Sequence, residues 1–110
     1  MKSHKTPEEA AAGFLLPWEA VSEADATKLS RELALELSDG HPLFGMKLEA
    51  VARSVAVDDV LFRLQDGRFA RVHLTWIDRE ERLPFPSCRV YAGFAEWAEA
   101  VMLPEHDLYG

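Results

Sequence analysis

An α+β domain, an antiparallel sheet of three to four strands with helices packed on one face, is the architecture this chain predicts. Three observations predict it. A leucine stripe at i, i+4, i+8 in the N-terminal half marks an amphipathic helix, Leu29, Leu33 and Leu37. An apolar, alternating stretch from Val60 to Trp76 is broken in the middle by Asp66-Gly67, the signature of a β-hairpin. Phe94, Trp97, Ala98 and Val101 then recur at i, i+3, i+4, i+7 and mark a closing helix.

The chain of 110 residues has 48% hydrophobic and 28% charged residues. That suits one domain with a core of its own and excludes wholesale disorder. A single domain over residues 1–110 is expected, with residues 1–5 as a tail. A net charge of −7 disfavours nucleic-acid and anionic-membrane partners, both of which require a surplus of Lys and Arg. The lone cysteine, Cys88, allows no internal disulfide, and no apolar run reaches membrane-spanning length. The first residues lack the apolar core of a secretory signal, so a cytoplasmic location is expected.

In chain order, Thr6-Pro7-Glu8-Glu9 has the form of a capping box, stopped by Gly13 and Pro17. The apolar cluster of Phe14, Leu15, Leu16 and Trp18 is expected to dock on the core. Ser22 or Asp25 caps the leucine-striped helix, expected over Glu23 to Ser38, with Lys28, Glu32 and Glu36 on or near its opposite side. Gly40 and Pro42 end it.

From Met46 the period becomes two, with Met46, Leu48, Ala50 and Ala52 on one face and Lys47, Glu49, Val51 and Arg53 on the other. In the hairpin, a two-residue turn mixes charged and apolar residues on both faces. A three-residue loop, Gln65-Asp66-Gly67 with Gly67 left-handed, instead pairs Phe62 with Ala70 and Val60 with Val72. It gathers Val60, Phe62, Leu64, Ala70, Val72, Leu74 and Trp76 on one face, so burial selects it. Leu61, Arg63, Phe69, Arg71, His73 and Thr75 fall on the other. Residues 77–86 form a proline-punctuated connection, Ser87 to Tyr91 a further strand, and a helix from Phe94 to Met102 is ended by Pro104.

His73 is the foremost chemical candidate. The three-residue loop sets Asp59 opposite it, and a carboxylate there orients an imidazole for acid/base work. The plainer reading is a polar strand residue hydrogen-bonded to its neighbour, so no catalytic residue is assigned beyond His73 and Asp59 as candidates. Arg63 and Arg71, with Arg53 beside them, suit a carboxylate or phosphate, or equally cross-strand ion pairs and cover for Phe69. His41, His73, Asp58, Asp59 and Glu80 show no metal-ligand spacing. Cys88 reads as a structural thiol rather than a nucleophile for His73. No phosphate-cradling glycine motif is present, and no cofactor is expected.

His41-Pro42-Leu43-Phe44-Gly45, Asp58-Asp59-Val60-Leu61-Phe62, Asp66-Gly67-Arg68, Val72-His73-Leu74-Thr75-Trp76 and Pro84-Phe85-Pro86 together resemble a pattern of small bacterial proteins that carries no assigned activity. The similarity covers roughly residues 27 to 103. It implies a stand-alone bacterial cytoplasmic protein; by analogy of fold and charge, some proteins of this build are immunity or antitoxin partners.

The function expected is a non-enzymatic protein-interaction module working through Arg63, Phe69, Arg71, His73 and Thr75. The alternative is a small acid/base enzyme or small-anion binder using His73 with Asp59 and Arg71. A homodimer with the same face as its contact is the third possibility.

Overall fold

A computed structural model describes residues 13–109. The Thr6–Glu9 capping box and the expected tail lie outside the described residues. The chain is α+β, built on an antiparallel meander of five strands rather than three or four: β1 (Trp18–Ala20), β2 (Leu48–Ser54), β3 (Asp59–Leu64), β4 (Phe69–His73) and β5 (Ser87–Tyr91), in that spatial order. The added strand is β1, where Trp18 pairs with Ser54 and Ala20 with Ala52. Among the described residues, no helix is long and apolar enough to cross a membrane.

Helix α1 (Glu23–Glu36) begins at Ser22, whose hydroxyl accepts the Asp25 N–H at 3.1 Å. It ends at Leu37, which is already extended, so the left-handed Gly40 (φ 98°) belongs to the turn beyond and does not terminate the helix. Leu29, Leu33 and Leu37 pack on Val60, Phe62, Leu64, Ala70, Val72 and Leu74, the face that alternation assigns to the core.

The hairpin adopts the three-residue loop. Val60 pairs with Val72 and Phe62 with Ala70, the Leu64 N–H donates to the Arg68 carbonyl at 2.8 Å, and Gly67 sits at φ 93°. In this loop the Arg68 backbone N–H and then its guanidinium hold the Asp66 carboxyl below the ordinary carboxylate range.

Three expectations about faces are corrected. The C-terminal helix does not join α1; it packs on the opposite face of the sheet, where Trp97, Ala98, Val101 and Met102 meet Trp18, Ala52, Leu61 and Tyr91. The physical reason lies in the central strands. Leu61 is wholly buried and Phe69 and Tyr91 project from the same side, so both faces of the sheet require cover. Ala52 also changes face, because a bulge at Val51 lets Ala50 pair with Phe62 while Ala52 pairs with Leu61. Trp76, expected in the core, is half exposed at φ 60°, since the ladder ends at His73.

Pro104 does not end the closing helix. Helix α2 (Phe94–Trp97) runs through a π-helical turn (Ala98–Met102) into α3 (Leu103–Tyr109). A proline inside an α-helix lacks the N–H for its i−4 carbonyl and crowds that carbonyl. The π turn, in which the Leu103 N–H reaches back to the Ala98 carbonyl, widens the helix just ahead of it. The chain thus continues helically for another seven residues.

His41 is buried, not a candidate ligand. Its Nδ1 accepts the Leu43 N–H at 3.1 Å, so Nε2 carries the proton and donates to the Pro86 carbonyl at 2.8 Å. One imidazole therefore ties the His41–Gly45 turn to the Pro84-Phe85-Pro86 segment, two pieces that are distant in sequence.

Candidate functional site

Three polar residues from three strands stand in one row. Asp59 opens β3, His73 closes β4 and Ser87 opens β5, and the registers set Asp59 opposite His73 and His73 opposite Ser87. Directly paired residues present their side chains on the same side of a sheet. The row's other neighbours are Arg71 and Arg89, themselves paired.

Asp59 is the hub. Its Oδ1 accepts from His73 Nδ1 at 2.7 Å and its Oδ2 from Arg71 Nε. With Nδ1–H donating to the carboxylate, the neutral imidazole keeps its lone pair on Nε2, the form a general base uses. The His73 side chain is 57% exposed, whereas that of Asp59 is 13% exposed. The orienting carboxylate is therefore sheltered and the imidazole is open to solvent.

Arg71 is committed inward. Its Nη1 donates to Glu105 Oε2 at 2.8 Å, and its guanidinium carbon lies 5.5 Å from the centre of the Trp18 ring. The Trp18 indole N–H donates to the other Glu105 oxygen at 2.9 Å. Burial alone would lower the pKa of Arg71, but its bonds to Asp59 and Glu105 outweigh that and raise it. Arg71 is thus a fixed positive post, neutralised on two sides. Arg89, by contrast, is exposed and makes no ion pair among the described residues.

These groups border a groove of about 390 Å³ between the sheet and the π turn, lined by Asp59, Arg71, His73, Ser87, Cys88, Arg89, Tyr91, Ala100 and Val101. Cys88 contributes no nucleophile for His73. It pairs with Val72 and its side chain packs with the α1 core on the other face, where burial pushes its thiol pKa up and keeps it protonated.

Of the remaining residues of the expected working surface, Arg63 and Phe69 are paired across β3 and β4 and line a second cavity apart from the His73 groove, whereas Thr75 lies elsewhere. Phe69 lies edge-on to Phe94, ring centres 5.7 Å apart, within an aromatic cluster that includes Phe14 and Trp97. Arg63 is exposed and bound to Glu49. Thr75 lies beyond the end of β4, its N–H turned to α1. Among the described residues, no cluster of three or more His, Cys, Asp or Glu is placed to hold a metal ion.

Glu105 and Trp18 complete the site without a signal in the sequence pattern. Glu105 lies past a proline that reads as a stop, and nothing in the apolar periodicity indicates that a π turn carries the helix on. Ser87 and Arg89 join the row only through the register between β4 and β5. Compared with family models, curated proteins and solved structures, the chain gives no match.

Proposed function

We propose that the protein binds a small anion, a carboxylate or phosphate group, in the groove beside His73, with the Asp59–His73 pair available for acid/base work. The observation that carries this reading is the single hydrogen-bonded unit made by Asp59, His73 and Arg71, which leaves His73 Nε2 open on a groove wall shared with the Ser87 hydroxyl, the Tyr91 hydroxyl and the Arg89 guanidinium. Arg89 supplies charge, Ser87 a rotatable donor, and protonated His73 a second cation. Arg71 acts as a spacer that fixes Asp59. The expected protein-interaction surface has less support, because its residues divide between two places, with Arg63 and Phe69 lining a cavity separate from the groove of Arg71 and His73.

The exposure of His73 favours a second form of the same reading, in which the anion is an Asp or Glu side chain of a protein partner reaching over the open groove. Both forms share the chemistry and differ in the carrier of the carboxylate.

Titration of inorganic phosphate and of acetate into isotopically labelled protein tests the reading. Amide shifts confined to His73, Ser87 and Arg89 are expected. Arg89→Ala should weaken the response about tenfold, the loss of roughly one charge-assisted hydrogen bond. Absence of any response at those three amides sinks the proposal.

A further inference from the structure

Glu32 and Glu36 lie one helical turn apart on α1, and both are buried, Glu36 completely. Both carboxylates point at the segment that follows β4. Glu36 Oε1 accepts the Thr75 N–H at 3.0 Å and its Oε2 the Trp76 N–H at 2.8 Å, while Glu32 Oε2 accepts the Asp78 N–H at 3.1 Å. The Glu36 backbone carbonyl adds a fourth bond, from the Glu81 N–H at 2.9 Å.

The segment these bonds hold is strained. Trp76 (φ 60°) and Asp78 (φ 63°) are the non-glycine residues with positive φ among the described residues. Such backbone is costly for a residue with a Cβ and persists only where surrounding contacts enforce it. Here the enforcing contacts are carboxylates, and a carboxylate's grip depends on its protonation.

We propose that Glu32 and Glu36 form a proton-operated latch on Thr75–Asp78, closed while the pair retains one proton and released when that proton leaves. Glu36 accepts two backbone N–H groups through two oxygens, which is the work of an ionised carboxylate. Glu32 accepts only one, so it is the member that can carry the proton and donate it to Glu36. Two ionised carboxylates side by side in a dry site repel one another.

The charged groups facing the pair make this worse, not better. The Asp78 carboxylate comes from the segment itself and adds like charge. The sheet side of α1 offers the apolar Leu29, Leu33 and Leu74. No Lys, Arg or His forms an ion pair with either glutamate among the described residues. Burial first, and then the hydrogen bond and charge of Glu36, push the pKa of Glu32 up to about 7, against a lowering by the Asp78 N–H. Release would free the backbone that runs directly on from His73 and would let the Trp76 indole, already half exposed, move. The latch rests on its own geometry and does not depend on an anion in the groove.

Hydrogen exchange at the Thr75 and Trp76 amides, corrected for intrinsic rates, tests this. Protection should fall by up to tenfold per pH unit between 4.5 and 7 in the native sequence and then level off. In Glu32→Gln, whose amide cannot ionise, the same protection should be flat with pH. A flat native profile, or an equal slope in the variant, overturns the latch. Carboxyl-carbon NMR of the native protein decides the matter even if the variant fails to fold: a Glu32 midpoint near 7 supports the latch, and one in the ordinary carboxylate range overturns it.

Discussion

Arg71 on β4 and Glu105 on α3 meet at 2.8 Å across a separation of 34 residues, and the contact exists only because the closing helix survives Pro104. The same carboxylate takes the Trp18 indole N–H, so Glu105 joins the first strand, the fourth strand and the last helix at one point. Glu105→Ala removes the acceptor of two donors. A loss of about 1–2 kcal/mol is expected, since the site is partly exposed and an ion pair there is weakened by solvent. Urea unfolding measures it, and the Trp18 indole proton should move in the NMR spectrum. An unchanged indole shift would mean that Glu105 does not hold Trp18.

Glu36→Ala strikes the buried acceptor of the Thr75 and Trp76 amides. Two backbone donors would lose their partner, at about 1–3 kcal/mol each. A total of roughly 3 kcal/mol or more, with loss of amide protection at both residues, is expected from chemical unfolding and hydrogen exchange. Glu36→Gln should fall between, because its amide has one oxygen to offer where the carboxylate has two.

Stability should decline as pH rises between 4.5 and 7. Glu32 has its folded-state pKa raised from 4.5 to about 7, so the folded protein binds the proton more tightly than the unfolded chain does. The stabilisation is fully present below 4.5 and is lost through 7. Its size is on the order of 3 kcal/mol, from the pKa difference alone. Unfolding midpoints of the native protein and Glu32→Gln across that range check the sign; a native curve that rises with pH would contradict it.

Gly67→Ala should cost about 1 kcal/mol and leave the fold intact. The residue sits at φ 93°, where a Cβ is strained, although nothing lies within 4 Å of the position a Cβ would take. Thermal unfolding measures the cost. A neutral result would show that the hairpin loop can adopt another turn.

The parts legible in the sequence are those whose determinants are close in the chain. The start of α1 follows from Ser22 and its leucine face from the i, i+4 rule. The hairpin register follows from alternation, because a one-residue slip would expose Phe62 and Val72 together. That register sets Asp59 opposite His73, so this half of the candidate site is legible from alternation alone. The Glu105 half is not, since it hangs on a π turn.

Only the tertiary structure decided the rest. An amphipathic face shows that something covers it, but not whether the cover is a partner or the chain's own last helix. Here that helix takes the Leu61–Phe69–Tyr91 face, so a face that alternation leaves open to a partner is largely interior. Glu32 and Glu36, expected on or near the side of α1 opposite the leucine stripe, are instead buried with their carboxylates on the backbone of residues 75–78. Periodicity reports which residues share a side of a helix or strand. What lies against that side depends on contacts between residues far apart in the chain, and those exist only after the chain has closed on itself.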